Sequence, residues 1–429
     1  MNAPLQSDDS VSLPLGEYAC QIGWDWGDSK HDICLSVRGA FSVEELVVAN
    51  RPEDLHQWLR SLAARFKGQP VAVAIESSKG PVVSLLSSYD WITVYPVHPA
   101  TSCRFSKAFT PSGAANDRSD ARNLLEILQL HRHRLRALLP QDDQTRRLEA
   151  FTQLRRKLVD TRTGLCNELA SLLKAYFPQA LDLIGEDCYS VMAREFLGRW
   201  PDLMSLKKAK PQTLRNFYYK HGVRRPEVVE ARLEIALRAE LLCQDAVLLE
   251  TSLLRLHYLL AQLSSLTPHI QALEKNIAQA FAKHEDQALF RSLPASGPVM
   301  APRLCALFGT DRDRWHNAAE LQKYYGVAPV IEASGKQRWV RWRWNAPTFH
   351  RQTLVEWAGL TVRFCPWAKA YYQKQRQRQK LHSSVLRALA FKWLRVLFRC
   401  WKNRTPYDDN FYLQKLEAQG SYLPSLVST

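Results

Sequence analysis

Among the nine cysteines of this 429-residue chain there is no Cys-x-x-Cys pair. An odd number scattered from Cys20 to Cys400 supports neither a disulfide framework nor a zinc knuckle, and a reducing cytoplasm is the expected setting. Long apolar runs are missing as well: charge interrupts the leucine-rich stretches every few residues, so no membrane span is predicted. Met1 to Ser10 is acidic and polar, without the basic and apolar regions of a signal peptide. With 46% hydrophobic and 23% charged residues, the chain is neither globally disordered nor collagen-like. Its length suggests roughly two to four domains.

Acids are almost absent from one long stretch. Between Ala333 and Arg404 there are 17 Lys and Arg against a single acid, Glu356, whereas the residues before Ala333 net only +2 and the whole chain +16. So concentrated a field attracts a polyanion and releases its counterions, and nucleic acid is the expected partner; a merely solvated basic face is the alternative. Aromatics interleave the charge over residues 338–344 (R-W-V-R-W-R-W), which adds ring faces to the cations.

Periodicity predicts strands over 18–25, 32–38, 43–48, 71–76 and 91–97, a helix over 52–66 opened by Pro52, and a short helix before the last strand. The first three strands read as a meander in a mixed sheet with helices packed on it. A further helix is expected over 117–139, and 144 to about 281 reads as helical, broken at Pro178, near Pro201 and at Pro226. Fourteen positions from Ile235 to Phe281 step by four and three residues, and twelve are apolar, which predicts a coiled coil with Pro268 kinking or ending it. Its partner helix lies in this chain or in another. Residues 292–309 (S-L-P-A-S-G-P-V-M-A-P-R-L-C-A-L-F-G) read as a turn at Gly297 between short helices, similar to a helix-hairpin-helix that offers backbone N–H groups to phosphates; a plain helical corner is the alternative. The fold class expected is α/β plus all-α, with domains at 15–140, 141–286 and 287–410 and a tail at 411–429.

Four acids carry the candidate chemistry. Asp25 and Glu76 each end a predicted strand, and Asp117 and Asp120 lie three apart at the start of a helix, on one face of it. Four carboxylates gathered at one place repel unless a cation neutralises them, and hard oxygen donors favour Mg²⁺ or Mn²⁺. Two such ions roughly 4 Å apart clamp the attacking and leaving oxygens of a phosphodiester. Taken singly, each acid also has a local reading: Asp25 as a strand end, Asp28 or Asp32 as turn residues, Asp117 as an N-cap.

The segments I-G-W-D-W-G-D-S-K-H-D (22–32), V-A-I-E-S-S (73–78), V-H-P-A-T-S-C-R-F (97–105) and N-D-R-S-D-A (116–121) resemble the DEDD motifs of the IS110 family of insertion-sequence transposases. L-P-A-S-G-P-V-M-A (293–301), Y-Y-G-V-A-P-V (324–330), S-G-K (334–336) and W-N-A-P-T-F-H-R (344–351) are similar to that family's C-terminal transposase domain. The resemblance implies a RuvC-like N-terminal domain with an RNase H-like fold holding metal through Asp25, Glu76, Asp117 and Asp120, a helical coiled-coil middle and a mainly helical transposase domain. It also implies a recombinase acting on donor and target DNA, guided by a structured RNA that the element encodes, with a serine that bonds covalently to DNA. By its place in S-G-K, Ser334 matches that nucleophile; a serine hydroxyl needs activation and charge stabilisation as it attacks phosphorus. The nucleic-acid contacts expected are Lys336, Arg338, Arg341, Trp342, Arg343, Arg351, Arg376 and Arg378. A homo-oligomer, dimer or tetramer, is implied, working in the bacterial cytoplasm at the nucleoid and not at a membrane. Two other readings stay open: a RuvC-like nuclease or junction resolvase that uses metal-activated water and forms no covalent intermediate, and a non-catalytic nucleic-acid-binding scaffold.

Overall fold

The computed structural model describes residues 18–109, 117–139, 141–242, 244–421 and 423–427. They form two compact units, dividing between residues 140 and 141.

The first unit is a five-stranded sheet with helices on both faces. Its elements are β1 (Cys20–Trp26), β2 (Lys30–Val37), β3 (Val43–Ala49), α1 (Pro52–Phe66), β4 (Val71–Ile75), α2 (Pro81–Leu86), β5 (Ile92–Pro96), α3 (Pro99–Phe109) and α4 (Asp117–His131). The order across the sheet is β3-β2-β1-β4-β5; β1, β2 and β3 form the antiparallel meander, and β4 and β5 continue parallel to β1. This mixed sheet is compatible with an RNase H-like transposase domain. α1 begins at Pro52 and stops where Lys67 turns left-handed, φ 52°; it buries Leu55, Leu59, Leu62 and Phe66 against Ile22, Trp24, Val73 and Ile75. β4 is buried along its whole length because it lies centrally between two neighbours and two helical layers.

α4 covers the other face. Gly23 of β1 is the point of closest approach: a Cβ there would sit 2.0 Å from the Ala121 carbonyl oxygen and 2.5 Å from the Leu125 nitrogen. Only glycine lets helix and strand touch so closely. The helix expected to run to 139 ends at His131, followed by a 3-10 turn over Arg132–Arg134. The reason is tertiary: Arg132 is buried with its guanidinium over the Tyr18 ring, and the chain turns back so that the Leu138 N–H donates to the Val94 carbonyl at 2.7 Å. α3, opened by Pro99 and packed on α4, was not expected from the sequence.

The second unit starts with α5 (Asp143–Tyr176). The short helices α6 (Ala180–Ile184), α7 (Val191–Arg199), α8 (Leu203–Lys207), α9 (Pro211–Lys220) and α10 (Pro226–Arg238) follow, then the long α11 (Ala246–Ala282). After α12 (Gln287–Arg291), α13 (Met300–Phe308) and α14 (Ala318–Tyr324) comes a hairpin of β6 (Val330–Ser334) and β7 (Gln337–Arg341). α15 (Thr348–Phe364), α16 (Pro366–Gln377), α17 (His382–Lys402), α18 (Asp409–Ala418) and α19 (Leu423–Val427) complete it. α5 and α11 lie antiparallel: Arg155 donates to Glu274 at 2.6 Å towards one end, and Arg255 to Glu168 at 2.6 Å towards the other. Both helices enter two cores. One surrounds Phe177, Phe196 and Phe217; the other surrounds Trp357, Trp367, Trp393 and Trp401. No helix among the described residues is long and apolar enough to cross a membrane.

The heptad reading needs correction. Ile235 belongs to α10 and Ala239 leaves the helical region, φ −58° and ψ 137°, so the seam is interrupted before α11 starts. Leu256, Leu260, Leu263, Ile270, Ile277 and Phe281 are buried, but so are Leu259 and Leu273. That stripe is wider than a coiled-coil seam and is the face of an ordinary core helix, covered by α5 of the same chain. Pro268 lies inside α11 and does not end it; it and Ser264, whose carbonyl it deprives of a donor, are both exposed.

Candidate active site

Register places the first two acids. Trp24 of β1 lies beside Ile75 of the parallel β4, so Asp25 and Glu76 are the next residues on adjacent strands at the same end of the sheet. Side chains alternate between faces along a strand. Gly23, Cys34 and Ala74 meet α4 through Ala121, Leu124 and Leu125; Asp25 and Glu76, two residues beyond Gly23 and Ala74, therefore share the α4 face. Because Ala121 rests on Gly23 while Leu128, two turns on, shares the buried cluster of Tyr18 and Ala72, α4 runs against β1 and brings its first turn, with Asp117 and Asp120, to the end where the strand acids emerge. A helix N-terminus favours carboxylates.

Asp25, Glu76 and Asp120 are each half-buried. The side chain of Asp117 lies outside the described residues. Among the described residues, no three His, Cys, Asp or Glu side chains converge closely enough to hold a metal ion ready-made. The donors on this face are nevertheless carboxylate oxygens, the set that suits a hard divalent cation. Burial, and secondarily Glu45, push the pKa of the nearby Cys34 thiol up.

A fifth acid at this edge escaped the sequence reading. Asp32 is not a turn residue but stands directly opposite Asp25 in the β1–β2 ladder, buried, with Lys30 at 3.2 Å. Like charges directly opposed on a sheet repel. The signal was present in the alternation of residues 30–37, which puts Asp25 and Asp32 in phase once the hairpin is closed. On the flank, Glu45 of β3 accepts from Arg122 at 2.7 Å and faces Arg118 at 3.5 Å, tying the start of α4 to the sheet edge.

Ser334 belongs to the second unit. It ends β6 at the tip of an exposed hairpin, paired with Gln337 across the two-residue turn Gly335-Lys336, and Gly335 takes φ 57°. Neither strand is expected from the mainly helical reading of this domain. Alternation puts Ser334 on one face with Trp339 and Arg341, and Arg338 on the other. Arg341 is bonded to Glu332 at 2.6 Å.

Other members of the expected nucleic-acid set are engaged internally. Arg351 donates to the Arg343 carbonyl at 2.9 Å and lies over the Trp342 ring, which Arg387 also contacts at 4.1 Å. Arg376 donates to the Lys380 carbonyl at 2.6 Å. Lys336, Arg338 and Arg378 are exposed, and so are the rings of Trp339 and Trp344, the latter 78% accessible. In the segment expected to resemble a helix-hairpin-helix, α12 and α13 do flank a turn with Pro302 in the first turn of α13, but α13 is buried from Ala301 to Phe308 and works as a core helix.

Comparison with known proteins gives two family matches. A transposase model for the DEDD domain of IS110 matches residues 22–178, and a model described as transposase of the IS116/IS110/IS902 family matches residues 287–373. The chain is 26% identical over 393 residues to the mini-circle putative transposase for IS117 of Streptomyces coelicolor, covering 90% of this chain and 95% of that protein. It is 25% identical over 316 residues to the insertion element IS110 43.6 kDa protein of the same organism, 72% of this chain and 76% of that protein. A putative transposase of Sinorhizobium fredii is 27% identical over 212 residues, 48% of this chain and 58% of that protein.

Proposed function

This chain carries the two transposase domains of the IS110 family and is homologous to IS117 and IS110 transposases, and on that premise we propose that it cuts and rejoins DNA strands using Asp25, Glu76, Asp117, Asp120 and Ser334. What supports the reading is that Asp25 and Glu76 directly follow the paired residues Trp24 and Ile75, at one end of two adjacent parallel strands.

The four acids would hold Mg²⁺ or Mn²⁺, with Asp32 adding to the negative potential that a cation relieves. Bound there, the metal supplies Lewis-acid polarisation of the scissile phosphate. Lys30 offsets Asp32, and the Glu45–Arg122 pair fixes the helix start that presents Asp120. Ser334 forms the Oγ–P bond as a backbone P–O bond of DNA breaks; its proton goes to a base and the leaving oxygen departs as a DNA hydroxyl. Rejoining reverses this with a different DNA hydroxyl. Arg341 and Trp339 share the serine's face, so they, rather than Arg338, flank the strand that Ser334 attacks.

The exposed cations of the basic segment support binding of donor and target DNA and of an element-encoded structured RNA as guide. The two centres lie in separate units, and a homo-oligomer supplies a route for uniting them across chains. The site of action is the cytoplasm, at the nucleoid.

The test is trapping on DNA that carries the element's ends. Wild-type protein should run on denaturing gels as a DNA-linked species that the Ser334→Ala variant lacks, while Asp25→Asn and Asp120→Asn retain DNA binding without strand transfer. Normal strand transfer by Ser334→Ala, with no linked species in the wild type, would favour the metal-dependent nuclease instead. RNA recovered with the purified protein, sequenced against the flanks of its coding region, tests the guide.

A further inference from the structure

The second unit contains a cavity of about 720 Å³ that the cutting chemistry does not use. It lies between α5, α11, α13, α15 and α17, and its size falls within the range of ordinary small-molecule sites, roughly 300–1,000 Å³. Its interior is apolar, built from Val159, Ile277, Val299, Leu360 and Leu386. Its polar lining includes Arg155, Arg156, Arg303 and Arg363 with Glu274, Glu356 and His382.

The charges there do not cancel. Arg155 is held by Glu274; Arg156 is held by Asp160 at 2.8 Å and, together with the buried Arg303, by Glu356 at 2.8 and 2.9 Å, and Gln352 donates to that same carboxylate, which leaves Arg363 as the excess charge. Three donors, Arg156, Arg303 and Gln352, occupy Glu356, the single acid of the basic segment. Arg363, exposed at the mouth, has no acidic partner among the described residues. Burial holds the Arg303 guanidinium below its ordinary value, which makes further negative charge near it favourable.

An apolar recess with one uncompensated cation at its mouth suits a ligand with a flat apolar body and a single anionic group. We propose that this cavity is a nucleotide-binding site: the base enters between Leu386 and Val299, and its phosphate meets Arg363. The occupant comes from a strand bound along the basic segment, a nucleotide extruded from the stack, with a free mononucleotide as the other source of the same chemistry. Water is excluded from the base, and the apolar walls accept any base face, so the site anchors a strand without reading its sequence. This rests on the nucleic-acid reading of the basic segment but not on the serine or the metal.

The probes are deoxyadenosine monophosphate and a single-stranded oligonucleotide carrying one 2-aminopurine, each titrated into the full chain. The mononucleotide should raise the melting midpoint, and the nucleoside without phosphate should do so less. Arg363→Gln should weaken mononucleotide binding about tenfold, as expected for one charge-assisted contact. Ala278→Trp, entering the cavity from an exposed position, should abolish it with the unfolding midpoint of the free protein preserved. The 2-aminopurine fluorescence should change on binding to wild type and not on binding to Ala278→Trp. A mononucleotide response without the 2-aminopurine change assigns the site to free nucleotide and overturns the extruded strand. No response of either probe in wild type overturns the site altogether; if the oligonucleotide still binds with normal salt dependence, the nucleic-acid reading stands without it. Loss of all oligonucleotide binding would remove that reading as well.

Discussion

At the residue scale, Gly23 has the sharpest constraint. A methyl group there meets the α4 backbone rather than a side chain that yields, so Gly23→Ala should displace the helix that carries Asp117 and Asp120. Overpacking of this kind costs about 1–3 kcal/mol; a lowered urea midpoint accompanied by failure of strand transfer is expected, and an unchanged midpoint would mean that α4 does not rest on β1. His31 gives a pH signature. It is fully buried, and burial holds its imidazole below the ordinary value, as it does for His284. A histidine whose folded pKa is depressed keeps its full stability above the unfolded value of about 6.5 and loses it as the pH falls below, because the unfolded chain takes up the proton first. The urea midpoint should therefore drop as the pH falls through about 6.5, and His31→Phe should flatten part of that slope. Asp25, Glu76 and the D-x-x-D pair were legible in the sequence because strand ends and helix starts are local signals. Asp32 was not, because its phase relative to Asp25 exists only once β1 and β2 are paired.

At the element scale, the five strands of the first unit were readable to within about two residues and the helix expected over 52–66 forms at Pro52–Phe66, whereas α3 was not readable. What failed was set by long-range packing. The α4 end at His131 depends on the buried Arg132, and the break at Ala239 depends on α10 packing into a core with α6–α9. The β6–β7 hairpin went unseen because its alternation mixes Trp with Arg, which reads as charge rather than strand. With the α11 stripe covered by α5 in the same chain, Leu263→Ala should cost about 2–5 kcal/mol. Its effect on the thermal midpoint should be the same at low and high protein concentration. A concentration-dependent effect would show that the stripe pairs between chains.

At the scale of the whole molecule, the clustered charge was countable from the sequence, but its availability was not. Arg351 and Trp342 are used to fasten the segment to itself, and Arg341 is paired with Glu332. Salt titration should separate these roles. Replacing Lys336, Arg338 and Arg378 together should reduce the log-log slope of nucleic-acid affinity by about 0.7–0.9 for each phosphate that is no longer neutralised. Arg351→Gln should instead lower stability and leave the slope nearly intact; a drop of about one full unit from Arg351→Gln alone would return that arginine to the binding surface.

α5 and α11, 34 and 37 residues long, pass from one core of the second unit to the other. At 1.5 Å per residue they are rods of about 51 and 56 Å, and every residue added to one advances its far end by about 100° of rotation. The pair is thus a phase-locked axle: length and angular setting of the Phe196 lobe relative to the Trp393 lobe change together. Matched seven-residue insertions in both helices would lengthen the span and nearly restore the angle, whereas a single added residue would swing the outer lobe by more than a quarter turn.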